Sequence, residues 1–233
     1  MSCNLYPVEL NLKSRSCLIV GGGKVAFRKV KNLAVTGADI EVISLNFNRE
    51  LLEFLQNNEI NFKQRSFLQK DLEDKFLIIA ATSDKKLNQQ IAVQAKQKNI
   101  LVNVVDNPAL SSFTGLASFK QGKLAIAIGT TGTSPALAAT IKEKLTCQYG
   151  PAYANYLDLL DKLRPLIKDN VSPAERKRLF RKLGDEKIED YLQNENLEQA
   201  IELLLDILPS SIGKEIEEVI ADISLQQKGE IDE

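Results

Sequence analysis

The sequence predicts an α/β fold: a parallel sheet with helices on both faces, followed by a small hairpin-containing region and a helical C-terminal domain. Three observations carry this. Short β-branched runs alternate with helical segments through roughly the first 110 residues, which implies right-handed βαβ units. The first apolar run ends in three consecutive glycines that open a helix. Beyond Asp106-Asn107-Pro108 the alternation stops, and one hairpin signal is followed by segments that are wholly helical.

Taken in order, residues 16–20 form an apolar run entered from a polar turn and left through glycines, as a buried strand is. Residues 24–35 read as a helix closed by Gly37, 40–43 as a β-branched strand, 49–56 as a helix and 60–63 as a weaker strand. A short helical piece at 68–72 precedes the apolar strand 76–80. Residues 88–98 place Ile91 and Ala95 on one helical face, and 101–105 are again a buried strand. Residues 118–120 and 124–128, joined by the polar turn Gln121-Gly122, predict a hairpin outside the parallel sheet. Ser134 is placed as an N-cap, with Pro135 at the first position of a helix reaching about Leu145. Helices follow at 152–167, 173–183, 187–193, 197–208 and 212–225, and the tail 226–233 is polar.

Composition excludes several classes. The chain of 233 residues has no apolar run approaching the roughly 20 needed to span a bilayer, so no membrane partner is expected. Its start lacks the charged and apolar pattern of a secretory signal, which makes the cytoplasm the expected location. Cys3, Cys17 and Cys147 are an odd number without CxxC spacing, fitting neither a disulfide framework nor a zinc ribbon, and Cys17 reads as buried packing. There is no histidine, so the commonest metal ligand and the commonest general acid or base are both missing, and no metal site is predicted. A net charge of −1 argues against a nucleic-acid partner.

Gly21-x-Gly23-x-x-Ala26 fits the dinucleotide fingerprint with alanine in the third position, at the turn from the first strand to the first helix of a Rossmann-type unit. One glycine makes the tight turn, another admits a pyrophosphate to the backbone, and the helix N-terminus faces the phosphates. Gly21, Gly22, Gly23, Lys24 and Val25 are therefore candidate cofactor contacts; the bland alternative is a tight turn alone. The acid expected about 20 residues on is absent, for the second strand ends in Ser44-Leu45-Asn46, which are the candidate ribose contacts or else ordinary loop formers. With no arginine immediately there to hold a 2′-phosphate, NAD is favoured over NADP. Thr82 and Ser83, after the fourth strand, are further cofactor candidates, their alternative being a helix cap.

The fifth strand delivers Asn103 and Asp106 to the same carboxyl edge, where ligands bind in open α/β sheets. Asp106 is the candidate catalytic carboxylate in a chain without histidine, although Asp-Asn-Pro is also a turn sequence whose aspartate bonds nearby backbone. The loop from Thr130 to Ser134 offers hydroxyls and N–H groups to an anion at a helix N-terminus, or only caps that helix. Lys120, Lys123 and Lys142 stand near it and read as solvated or as carboxylate binders.

Five motifs in order now carry a resemblance: Leu5-Tyr6-Pro7; residues 17–29, which run from Cys17 through the glycine loop to Arg28-Lys29; Ala80-Ala81-Thr82-Ser83-Asp84; Asn103-Val104-Val105-Asp106-Asn107-Pro108; and residues 132–138, Gly132-Thr133-Ser134-Pro135-Ala136-Leu137-Ala138. Over about residues 1 to 165 the chain resembles the precorrin-2 dehydrogenases, a family that includes the N-terminal module of sirohaem synthases and the bifunctional dehydrogenase/ferrochelatases. The resemblance implies NAD-dependent oxidation of the tetrapyrrole precorrin-2 to sirohydrochlorin, with insertion of ferrous iron added in some members. It implies an NAD-binding domain over 1–112, a dimerisation region over 113–150, a helical domain over 151–233, and an interlocked homodimer. The family's essential aspartate falls on Asp106, and its hydroxyl position on Thr130 or Thr131; Asn103, Thr130, Thr131 and Gly132 become the expected substrate contacts. Residues 113–117 lack the Phe/Pro-rich stretch usual after the aspartate motif, and the extension beyond about residue 170 is longer than the shortest relatives carry. The alternative function is a non-catalytic NAD-sensing regulatory module, although Glu175, Asp185 and Glu186 interrupt the only basic helical stretch. A tetrapyrrole carrier without chemistry is a third reading.

Overall fold

The computed structural model describes residues 5–194 and 196–209. The expected helix at 212–225, the polar tail and Cys3 lie outside the described residues. Two compact units divide after Gly115.

The first unit is one five-stranded parallel sheet, formed by β1 (Ser16–Val20), β2 (Asp39–Ser44), β3 (Asn61–Gln64), β4 (Leu77–Ala80) and β5 (Leu101–Val104) in the order β3-β2-β1-β4-β5. Register is parallel throughout, with Val20 opposite Ile43 on one side and Ala80 on the other. The chain winds outward from β1 to β3 and then returns to β4, so the strand order reverses between β1 and β4, the place where open α/β sheets leave a crevice at their carboxyl ends. α1 (Lys24–Ala34) and α2 (Arg49–Asn57) cover one face, where Ala26, Val30 and Leu51 meet Cys17, Ile19 and Val42. α3 (Lys85–Gln97) covers the other, packing Ile91, Ala92 and Ala95 on Leu18, Ile78 and Val102. Alternate residues of β1 thus serve opposite cores, which is why the strand is apolar throughout rather than alternating.

The helix expected at 88–98 begins three residues earlier, at Lys85, because Asp84 accepts from the N–H groups of Lys86 and Leu87. Apolar periodicity is blind to Lys85 and Lys86, which face solvent. The free edge of β5 is closed by two serines: the Val102 N–H donates to Ser112 Oγ and the Val104 N–H to Ser111 Oγ, each at 2.8 Å. Side-chain oxygens here take the place of another strand and blunt an edge that would otherwise pair with a second chain.

In the second unit, β6 (Ala117–Gln121) and β7 (Leu124–Ile128) pair antiparallel, with Gln121 opposite Leu124. The two-residue turn is therefore Gly122-Lys123, not Gln121-Gly122. Gly122 takes φ +57, and Lys123 Nζ reaches Asp161 at 2.6 Å and Asp158 at 3.1 Å on α5 (Pro151–Asn170). Ser134 caps α4 (Pro135–Gln148), accepting from the Leu137 N–H, with Pro135 at its first position as expected. On α5 the residues Ala152, Tyr156, Leu159, Leu163 and Ile167 recur at helical spacing and are all buried. They share a core with α6 (Pro173–Lys182), α7 (Glu186–Gln193) and α8 (Leu197–Ile207). The Tyr156 hydroxyl donates to the Leu183 carbonyl at 3.0 Å, tying α5 to the end of α6.

Candidate functional site

The first unit gathers the carboxyl ends of β1, β2, β4 and β5 on one edge, and each polar loop there has a definable task. Gly21 leaves β1 with φ +133, and a Cβ on it would stand 2.3 Å from the Ala81 carbonyl oxygen. A Cβ on Gly22 would lie 1.9 Å from the Asn46 carbonyl oxygen and 2.8 Å from Ser44 Oγ. Both glycines exist because the exits of β4 and β2 press against the loop. Gly23 differs: its φ of −89 and ψ of −175 suit any residue, and a Cβ there would meet nothing within 4 Å. Space, not strain, marks this position.

Gly23 is also the N-cap of α1, which carries no side-chain cap and no acid in its first turn. The N–H groups of Lys24 and Val25 are among those an α-helix leaves without an internal partner, at its positive end. An uncapped helix start beside an open, side-chain-free stretch fits a pyrophosphate, which needs several N–H donors and close backbone approach. At the end of β2, Ser44 is half-buried with its hydroxyl on the Asn46 carbonyl at 2.8 Å, while Leu45 and Asn46 are exposed. Of the arginines that follow in sequence, Arg49 pairs with Glu53 at 2.7 Å and Arg65 with Asp71 at 2.7 Å.

After β4, Ser83 is exposed and Asp84 caps α3, so the capping alternative holds for Asp84. Thr82 turns inward. Its hydroxyl donates to Asn88 Oδ1 at 2.7 Å and accepts from the Asp84 N–H at 3.1 Å. Asn88, 1% exposed, completes the arrangement, its Nδ2 donating to the Thr82 carbonyl at 3.0 Å and to Asp106 Oδ1 at 3.3 Å. Asn88 was not among the expected residues, since in sequence it is one polar residue among Lys85-Lys86-Leu87-Asn88-Gln89-Gln90. The one legible signal was its place at the first buried position of α3, in register with Ile91 and Ala95.

Asp106 is exposed just beyond β5, and its carboxylate accepts from Asn88 rather than from the local backbone. The turn that follows is held without it, by the Asn107 N–H on the Val104 carbonyl and by Ser111 Oγ on the Asn107 carbonyl. Asn103 is buried, its Nδ2 donating to the Phe113 carbonyl at 3.1 Å. Nearby, Lys29 is half-buried on α1; burial first, and then the charge of Arg28, hold its pKa below the ordinary lysine value.

Thr130, Thr131 and Gly132 lie in the second unit, in the loop from β7 to α4. Thr131 takes φ +51 and Gly132 φ +82, a left-handed pair that closes with the Thr133 N–H on the Thr130 carbonyl. A β-branched residue at positive φ is held there against its preference. Thr130 Oγ1 accepts from the Ser134 N–H at 3.2 Å, and Thr131 Oγ1 donates to the Thr130 carbonyl at 2.7 Å. Of the lysines considered near this loop, Lys123 is committed to Asp158 and Asp161. Among the described residues no group of three or more Cys, Asp or Glu side chains is placed to hold a metal ion, and no helix is long and apolar enough to cross a membrane.

Residues 8–117 match a family model for NAD(P)-binding domains. The chain is 35% identical over 208 residues to the siroheme synthase of Psychromonas ingrahamii, a match covering 88% of this chain and 44% of that protein. It is 37% identical over 174 residues to the siroheme synthase of Zymomonas mobilis, covering 75% of this chain and 37% of that one. The chain thus spans less than half the length of these curated relatives. Among solved structures, SirC, a precorrin-2 dehydrogenase, aligns with a TM-score of 0.69 at 32% identity, covering 85% of this chain and 100% of that chain.

Proposed function

Because the chain belongs to the precorrin-2 dehydrogenase family, we propose that it oxidises precorrin-2 to sirohydrochlorin with NAD as the hydride acceptor. The observation that carries this reading is the carboxyl edge of the first unit. There, an uncapped helix start with open space at Gly23 shares an edge with a carboxylate fixed by a buried amide. Oxidation removes two hydrogens from the tetrapyrrole, one with its electron pair and one as a proton. NAD, when bound, supplies the acceptor for the first. Asp106 accepts or orients the second, the role a histidine plays in many enzymes and that no histidine can play here.

Gly21, Gly22, Gly23, Lys24 and Val25 bind the pyrophosphate, Ser44, Leu45 and Asn46 the ribose, and Thr82 and Ser83 line the nicotinamide side. Thr82 contributes there as a wall held in place, since its hydroxyl, N–H and carbonyl are all bonded to Asn88 or Asp84. Thr130, Thr131 and Gly132 of the second unit are proposed substrate contacts, and Asn103 of the first, buried with its Nδ2 on the Phe113 carbonyl, is proposed to shape its own sheet edge from behind. That no arginine stands within Ser44-Leu45-Asn46 supports NAD over NADP. The same reading makes the protein a cytoplasmic homodimer that pairs through the region 113–150. The poorly buried α4 supports this: only Ala138 is buried and Leu137 is 53% exposed.

The test is turnover: purified protein with precorrin-2 and NAD or NADP, followed at the absorbance of the reduced nicotinamide, with and without ferrous iron. NADH formation that vanishes in Asp106→Ala, with NAD binding retained, is the expected result. No NADH from the wild type would sink the reading. Light scattering after size exclusion decides the dimer.

A further inference from the structure

We propose that Asn88 is the positioning residue for the Asp106 carboxylate and couples it to the loop at Thr82; this rests on the dehydrogenase reading above. A primary amide has two N–H donors and two acceptor lone pairs. In Asn88 all four are assigned. Nδ2 donates to the Thr82 carbonyl at 3.0 Å and to Asp106 Oδ1 at 3.3 Å, while Oδ1 accepts from Thr82 Oγ1 at 2.7 Å and from the Thr82 N–H at 3.3 Å. Turning the amide over would set its NH₂ against the Thr82 N–H, donor facing donor. The orientation that presents an N–H to Asp106 is therefore the only one the loop allows.

The side chain has no freedom to leave. It is 1% exposed and stands beside Ile91 and Ala92 on the buried face of α3, whose start is fixed by the Asp84 cap. Asp106, by contrast, is exposed and receives from no other side chain among the described residues. Asn88 is thus the one described side chain that donates to this carboxylate, and it does so from an amide whose own position is fixed. The 3.3 Å distance is of the length that tightens when a ligand dehydrates a site. Because the other half of the amide grips Thr82 at the exit of β4, a shift of that loop is transmitted to the carboxylate. Asn88 is buried behind both and touches no ligand.

Asn88→Asp tests this, because it keeps the acceptor that the Thr82 hydroxyl and N–H use and replaces Nδ2, the donor to Asp106 and to the Thr82 carbonyl, by an oxygen. The expected result is a kcat lower by about 10- to 100-fold, the range for losing a hydrogen bond to a charged group. The KM for precorrin-2 and the Kd for NAD should stay within about threefold, since the residue touches neither ligand. Combining Asn88→Asp with Asp106→Asn exchanges donor and acceptor between the two side chains and removes their like-charge contact, so the pair should regain part of the thermal stability lost in the single variant while remaining inactive; the bond to the Thr82 carbonyl stays lost. Wild-type kcat in Asn88→Asp, or a loss of NAD affinity in proportion to kcat, overturns the proposal. So does a double variant no more stable than the single one. A measurement free of turnover, and of any variant at position 88, uses nuclear magnetic resonance of the wild type. One Asn88 side-chain amide proton should resonate downfield and exchange slowly, and lose both properties in Asp106→Ala; a signal that does not move refutes the coupling. A wild type that shows this signature yet oxidises no precorrin-2 would leave the coupling standing and remove the functional reading.

Discussion

Adding one methyl group at Gly22 or at Gly23 separates what the fold requires from what a cofactor requires. At Gly23 the backbone is already in a region alanine adopts, and the new Cβ meets nothing within 4 Å. Alanine restricts the unfolded chain and so favours Gly23→Ala by about 0.4–1 kcal/mol. It is also a poorer N-cap than glycine, which costs about 0.5–1 kcal/mol. The two terms nearly cancel, so the melting temperature should move by no more than about 2–3 °C in either direction. On the proposed reading the same methyl stands where the NAD pyrophosphate approaches the backbone, and NAD affinity should fall by on the order of tenfold or more, about 1.4 kcal/mol or above. Gly22→Ala behaves oppositely: its Cβ would lie 1.9 Å from the Asn46 carbonyl oxygen, a backbone atom that cannot swing aside. Forcing the β2 exit away costs about 1–3 kcal/mol, or about 3–10 °C in a chain of this size. Thermal melts without cofactor, with calorimetric titration of NAD, measure both quantities. A Gly23→Ala protein that binds NAD like the wild type, or that melts as low as Gly22→Ala, refutes the reasoning.

Three further outcomes follow from packing and charge. Burial alone would raise the pKa of Asp71, but the Arg65 guanidinium at 2.7 and 2.8 Å and the Leu68 N–H outweigh it and hold the carboxyl below its ordinary value. Its stabilising contribution is therefore complete above the ordinary aspartate pKa and is lost as pH falls through the folded value. In Arg65→Met the buried carboxylate is unpaired, and urea midpoints should drop by the equivalent of about 2 kcal/mol at pH 7, less on approaching pH 4; equal midpoints for variant and wild type at pH 7 would contradict this. Burial, reinforced by Asp39 against the opposing Lys75, pushes the Cys17 thiol up to about 11. In a chain carrying Cys3→Ser and Cys147→Ser, a thiol reagent at pH 8 should find nothing until denaturant is added, and rapid native labelling would show the first core to be open. Tyr156→Phe should lower stability by about 1–2 kcal/mol by leaving the Leu183 carbonyl without its donor, and a chemical denaturation curve unchanged from wild type would show that bond to contribute nothing.

What the sequence makes legible here is whatever has its cause nearby. The ends of β1 coincide with the apolar run because both are set by the polar turn before it and the glycines after it. Ser134-Pro135 reads as a helix start because cap and capped N–H groups lie within one turn. The hairpin is visible in composition, but its turn is displaced by one residue. Gly122 takes φ +57 as the first turn residue, and Lys123, the second, reaches Asp158 and Asp161 on α5, a distant pairing that nothing around Gly122 reports. The glycine loop shows the same division. Its presence is legible, whereas the assignment of tasks within it is not, because Gly21 answers to Ala81 and Gly22 to Asn46, both brought there by the sheet.

The candidate site depends most on such distant causes, and Asp106 shows why two readings of one motif need not compete. Sequence reasoning sets a turn-forming aspartate against a functional one, since Asp-Asn-Pro commonly closes on its own backbone. In the structure the turn closes without the carboxylate, through the Asn107 N–H and the Ser111 hydroxyl. That leaves the carboxylate for Asn88, a residue on another element that no local pattern ties to it. A carboxylate needed only for the turn would be bonded within the turn. One held by a fully satisfied, buried amide from another element is fixed from outside its own turn, which is what the proposed role in proton acceptance requires.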